Sequence, residues 1–217
     1  MKNNVTELVF ILDRSGSMAE LEKDTIGGFN AMIEKQKQND TPCYVSTILF
    51  NGVSYVLHDR VRLNDVGMIS EREYAVGGGT ALLDAIGGAI HHIGTLHKYL
   101  GEDAPAHTMF IITTDGQENA SHRYDCYRVK EMIERQKKRF GWEFIFLGAN
   151  IDAVETAARY GIGADRAANY HCDGAGTALN YEVMSDAIFA VRTKASLGPD
   201  WKKKIDKDFK NRSKKKS

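Results

Sequence analysis

Asp13, Ser15 and Ser17 stand at alternate positions in the segment "DRSGSM", directly after a short apolar run and with Gly16 between the serines. Glycine lets the backbone curl there, so one carboxylate and two hydroxyls can face a common point. Two further oxygen donors stand far along the chain. Thr80 follows three glycines in "VGGGTALLDA", and Asp115 precedes Gly116 in "IITTDGQENAS". A hard cation such as Mg2+ takes six oxygen ligands at about 2.0–2.1 Å and keeps several waters, so few carboxylates and several neutral hydroxyls suit it. Zinc favours His or Cys, and these segments offer neither. The chemistry open to this set is therefore to hold Mg2+ or Mn2+. No His or Cys stands in the motif to activate Ser15 or Ser17 as a nucleophile, so no catalytic residue is expected.

Such a set needs a frame that carries three distant segments to one edge. Short β-branched and aromatic runs alternate with stretches of helical period, the pattern of βα units around a sheet covered on both sides. Strands are expected at 7–12, 43–50, 54–61, 108–114 and 143–149, with a weaker one at 167–171. Asn51-Gly52 marks a hairpin between the second and third, which makes that pair antiparallel. The first helix carries a stripe of Glu22, Ile26, Phe29 and Ile33, and its Gly27-Gly28 pair weakens helicity while leaving room for close packing. Further helices are expected over roughly 81–98 and 124–139, over "DAVETAARYG" closed by Gly161, and over the amphipathic stretch 177–195, ended by Gly198-Pro199. The fold class is thus α/β: three layers, doubly wound, with a mostly parallel sheet and one antiparallel edge strand. In such sheets ligands sit at the carboxyl ends of the strands where strand order reverses. The Asp13, Thr80 and Asp115 segments are the expected lining of that crevice.

Taken together, D-x-S-x-S … T … D-G is complete and in chain order, and it resembles the metal-ion-dependent adhesion site (MIDAS) of the von Willebrand factor A domain. That Rossmann-like fold is also seen in integrin inserted domains, and the order of elements extends the resemblance over about residues 5–195. The resemblance implies that Ser15, Ser17 and Thr80 ligate the metal. It implies that Asp13 ligates directly or through water, and that Asp115 does so through water. The extended "GGGTALLDAI" and "TDGQENAS" look most like the intracellular bacterial and phage members. A cation so held has at most two direct negative ligands, so an incoming carboxylate gains strong coordination. The expected function is a metal-dependent protein-binding module whose partner offers an Asp or Glu.

The alternative from another class is a metal-dependent phosphohydrolase with Asp13 as nucleophile. That chemistry wants a second carboxylate two residues on as general acid, and Ser15 stands there instead. A non-enzyme is accordingly expected. A protein that keeps the fold without the metal is the third reading. The glycines before Thr80 make no dinucleotide loop, because Leu82 occupies the place of the third glycine, and no G-x-x-x-x-G-K-[ST] occurs. His91, His92 and His97 share one helix with no pair three or four apart, which suits surface or packed histidines. Asn119 either steadies the Asp115 loop or caps the next segment. Asp84 and Glu118 are expected on a solvated face and not as groups that orient hydroxyls or waters.

With 42% hydrophobic and 27% charged residues, the 217-residue chain fits one ordinary globular domain. Cys43, Cys126 and Cys172 are odd in number and far apart, with no C-x-x-C, and the apolar run "LVFIL" is too short for a signal peptide or a membrane span. A reducing, cytoplasmic setting is expected. The zero net charge hides a division: the last seventeen residues carry nine Lys or Arg against Asp206 and Asp208, leaving 20 basic and 27 acidic residues in positions 1–200. The domain is expected to span 1–199, followed by a basic, loosely ordered tail over 200–217 for which no specific nucleic-acid role is expected.

Overall fold

The computed structural model describes residues 4–194 and 196–214. Its centre is β1 (Thr6–Asp13), buried at all 8 positions. A strand covered on both faces can be apolar throughout, and alternation then decides which core each side chain joins. Leu8, Phe10 and Leu12 enter one core, while Val9 and Ile11 enter the other. β1 pairs in parallel with β2 (Cys43–Phe50) and with β4 (His107–Thr114). β5 (Glu143–Gly148) and the short β6 (Ala167–Asn169) extend the parallel side. β3 (Ser54–Arg62) turns back on β2 with Phe50 opposite Ser54, so the order is β3-β2-β1-β4-β5-β6 and one edge is antiparallel.

α1 (Glu22–Lys37) and α5 (Gly174–Lys194) cover the Phe10 face, and α2 (Leu82–Leu100), α3 (Cys126–Phe140) and α4 (Ala153–Arg159) cover the Ile11 face. The expected elements are all present, and the differences lie in what they bury. In α1 the buried stripe runs through Thr25, Phe29, Met32, Ile33 and Gln36, leaving Glu22 and Ile26 only half-buried. Gly28 lets α5 cross closely, since a Cβ there would lie 2.3 Å from the Tyr181 ring, whereas Gly27 faces open space. In α3 Val129 and Ile133 are buried but Tyr127 is 72% exposed.

The amphipathic pattern expected for the last long helix does not hold. α5 buries Asn180, Ser185 and Arg192 alongside its apolar residues, because polar side chains there close off α1. Gln36 Nε2 donates to Ser185 O at 2.9 Å, and Arg192 Nη1 donates to Gln36 O at 2.6 Å. A guanidinium on the last carbonyls of a helix is favoured by the helix dipole as well as by the bonds. Residue 195, which ended the expected helix, lies outside the described residues.

The loosely ordered tail is a second correction. α6 (Lys203–Ser213) docks on the core through Ile205, which is 1% exposed. Trp201 Nε1 donates to Asp165 O at 2.7 Å, Lys202 Nζ donates to Ala167 O at 2.6 Å, and the Phe209 ring stacks on His171 at 4.8 Å. One apolar anchor suffices because lysine stems and aromatic faces cover the rest of the contact. Order therefore continues past the boundary expected at 199.

Candidate metal centre

Strand order reverses between β1 and β4, and the five expected oxygen donors come together at the carboxyl ends of those strands. Asp13 is the last residue of β1 and 1% exposed; Asp115 follows β4 directly and is 2% exposed. Ser15 and Thr80 are buried, and Ser17 is exposed at the rim. Ser17 Oγ donates to Asp115 Oδ1 at 2.5 Å and lies 3.2 Å from Ser15 Oγ. Gly116 marks the convergence. A Cβ built on it would stand 3.3 Å from Ser17 Oγ, 3.3 Å from Thr80 Oγ1 and 3.9 Å from Ser15 Oγ. Three hydroxyl oxygens from two loops thus surround one point that glycine alone leaves open.

Backbone bonds lace these loops together. Gly16 N donates to Gly78 O at 3.1 Å and Gly77 N to Arg14 O at 2.9 Å. Gly78 adopts φ +80, a conformation that favours glycine. Asn119 Oδ1 accepts from Thr80 N at 2.8 Å and Asn119 N donates back to Thr80 O at 3.1 Å. Of the two roles open to Asn119, the structure shows the first, extended across to the Thr80 loop. Asp84 and Glu118 are not on a solvated face. Asp84 accepts from the backbone amides of His122, Arg123 and Tyr124, and Glu118 accepts from Leu83 N at 2.8 Å and from Ala120 and Ser121. Both tie the loop after β4 to the start of α2. Partial burial acts against it, yet the three amides hold the Asp84 carboxyl below its usual range.

Three supporting residues were not singled out from the sequence. Thr114, wholly buried, donates from Oγ1 to Asp13 Oδ2 at 2.5 Å, while Ser15 N donates to Oδ1 at 2.7 Å. Thr114 directly precedes Asp115 in the motif, which was the available signal. Tyr74 is fully buried and its hydroxyl donates to Asp13 O, and no pattern around it announces that contact. The Cys172 thiol lies 3.9 Å from Asp115 Oδ2. Burial raises the pKa of Asp13 and of Asp115 above the usual carboxylate value, against the hydroxyl and amide bonds that lower it. No Lys, Arg or His forms an ion pair with either acid among the described residues.

This donor chemistry fits a hard divalent cation. Hydroxyls dominate it, two carboxylates stand behind them, and a Cβ-sized gap lies between. Among the described residues no three His, Cys, Asp or Glu side chains gather into a group that could hold a metal ion. His92 instead pairs with Asp59 at 2.7 Å and His97 with Glu7 at 3.2 Å, while His91 is exposed.

No protein-family model and no curated protein matches the sequence. Among solved structures the chain is similar to the vWF domain of the type V pili tip protein Mfa5 from Porphyromonas gingivalis. That match has a TM-score of 0.62 and 10% identity, covering 89% of this chain and 98% of that one. It is similar to the PilB minor pilin from Streptococcus sanguinis, with a TM-score of 0.60 and 9% identity over 89% of this chain and 63% of that one. It is also similar to proximal thread matrix protein 1 from the mussel byssus, in a structure with a zinc-occupied MIDAS motif. There the TM-score is 0.59 and the identity 10%, covering 83% of this chain and 47% of that one. The chain thus spans less than two thirds of the length of two of these proteins, and identities this low are likenesses of fold.

Proposed function

From the von Willebrand factor A-type fold of this chain, we propose that it is a metal-dependent protein-binding module and not an enzyme. Ser15, Ser17 and Thr80, backed by Asp13 and Asp115, would hold Mg2+ or Mn2+, and an Asp or Glu of a partner protein would complete the coordination. The observation that carries this reading is the convergence of three hydroxyl oxygens on the point beside Gly116, with two buried acids behind them. When bound, the cation supplies a Lewis-acidic position that a partner carboxylate can occupy. The chain's own residues do the rest. Thr114 and the Ser15 amide orient Asp13, Asp115 orients Ser17, and Asn119 fixes the Thr80 loop.

Asp13 is 1% exposed and each of its carboxylate oxygens already accepts a hydrogen bond, which supports a positioning role over that of a nucleophile. The zinc found in the MIDAS of the mussel protein supports a divalent site at this place in the fold. A cytoplasmic setting is part of the proposal, supported by the three free cysteines. Among the described residues no helix is long and apolar enough to cross a membrane. The test is to immobilise the chain and expose it to native-host lysate in Mg2+ or in chelator. One protein should be retained in Mg2+ and released both by chelator and by Asp13→Ala, with Thr80→Ala retaining it more weakly. Full retention by Asp13→Ala in chelator would contradict the mechanism.

A further inference from the structure

Between α2 and α3, on the Ile11 face of the sheet, lies a cleft of about 450 Å3 that contains none of the metal-centre residues. Its floor is apolar. Trp142 is 5% exposed and stacks on Phe110 with ring centroids 5.2 Å apart, and the exposed Phe140 flanks it. The rim is cationic: Lys98 comes from α2 and Arg128 and Arg135 from α3, and no Asp or Glu lines the cleft. Arg128 approaches Glu131 at 3.5 Å in solvent, while neither Lys98 nor Arg135 makes an ion pair among the described residues. This local sign runs against positions 1–200, which hold 20 basic and 27 acidic residues.

The floor has room for an occupant. Gly94 keeps the floor open, since a Cβ there would already stand 3.6 Å from Gln136 Nε2 and 3.9 Å from Trp142 Cη2. Clefts of this size suit small molecules, with an apolar floor for the body and a few polar groups for orientation. A guanidinium fork matches carboxylate or phosphate oxygens and also stacks on rings.

We propose that this cleft binds a small anion bearing a flat ring, an aromatic carboxylate or an aromatic phosphate ester. The ring would lie on the Trp142 and Phe140 floor and the anionic group between Lys98 and Arg135. Calorimetric titration of the full chain with 1-naphthoate, with adenosine monophosphate and with inorganic phosphate tests it. At least one ring-bearing anion should bind saturably, one molecule per chain, with phosphate alone about tenfold weaker or worse. The better of the two ring-bearing probes tells a carboxylate site from a phosphate site. Lys98→Gln with Arg135→Gln should weaken binding by about tenfold or more, the scale of one lost charge-assisted bond. Gly94→Leu should abolish it by filling the floor, and chelator and Asp13→Ala should leave it unchanged. If Gly94→Leu does not fold, the double charge variant decides, because both of its sites are exposed. Absence of saturable binding by either ring-bearing anion, binding indifferent to the charge variant, or binding by an acidic peptide alone would overturn the proposal.

Discussion

Glu7 and Asp13 stand near opposite ends of β1, 0% and 1% exposed, yet only Glu7 is met by a cationic side chain, Arg60, with the His97 ring beside it. Arg60 Nε lies 2.8 Å from Glu7 Oε2 and His97 Nε2 lies 3.2 Å from it, with the Arg60 guanidinium resting 4.4 Å from the Tyr44 ring centroid. Asp13 receives only neutral donors, the Ser15 amide and the Thr114 hydroxyl, and burial pushes its pKa up. A buried charge is expensive unless an opposite charge compensates it. At the Glu7 end a protein cation thus compensates the charge through Oε2, while Oε1 is buried without a hydrogen-bond partner. The other end carries a charge deficit that a cation from solvent can fill, and it does so where the fold gathers hydroxyls.

The largest effect expected from this contrast comes from breaking the Glu7 end. Glu7→Ala leaves Arg60 and His97 without their carboxylate, so urea unfolding should show a loss of about 2–4 kcal/mol. A loss below about 1 kcal/mol would remove the contrast, since Glu7 would then be no better served than Asp13. A smaller effect sharpens it at the open end. Asp13 and Asp115 have folded pKa values raised above 3.8, so the metal-free folded state binds more protons than the unfolded chain there. Their contribution to metal-free stability is fully present below 3.8 and is lost as pH rises through the folded values. Melting measured in chelator across that range should decline less steeply in Asp13→Asn than in the wild type. Equal slopes would mean that the Asp13 carboxylate is not held at a disadvantage in the fold.

The strands were legible because a parallel sheet buried on both faces demands continuous apolar runs, and "ELVFIL" and "CYVSTILF" are such runs. The Asp13, Ser15 and Ser17 segment stood out for a different reason. Polar residues at alternate positions beside glycines, directly after such runs, have no packing role to explain them. Thr114 and Tyr74 escaped notice because a threonine inside a strand looks like filler, and Tyr74 sits in a stretch without period. The burial of Arg192 and the docking of α6 by Ile205 depend on which elements meet in space, and no local pattern carries that. Asp84 and Glu118 illustrate the same limit: an acid that binds three backbone amides reads, in sequence, like any surface acid.

The central claim, that the open end of β1 is completed by a divalent cation, is tested most directly by thermal unfolding with and without Mg2+ in the wild type and in Asp13→Asn. At tenfold excess over the dissociation constant, binding to the folded state adds about 1.4 kcal/mol. For a chain of this size that should raise the wild-type Tm by about 4 °C. Asp13→Asn keeps an acceptor for Ser15 but removes the charge, so its Tm should not respond. A wild-type Tm indifferent to Mg2+ and Mn2+ at every concentration, or an equal rise in Asp13→Asn, would contradict the account.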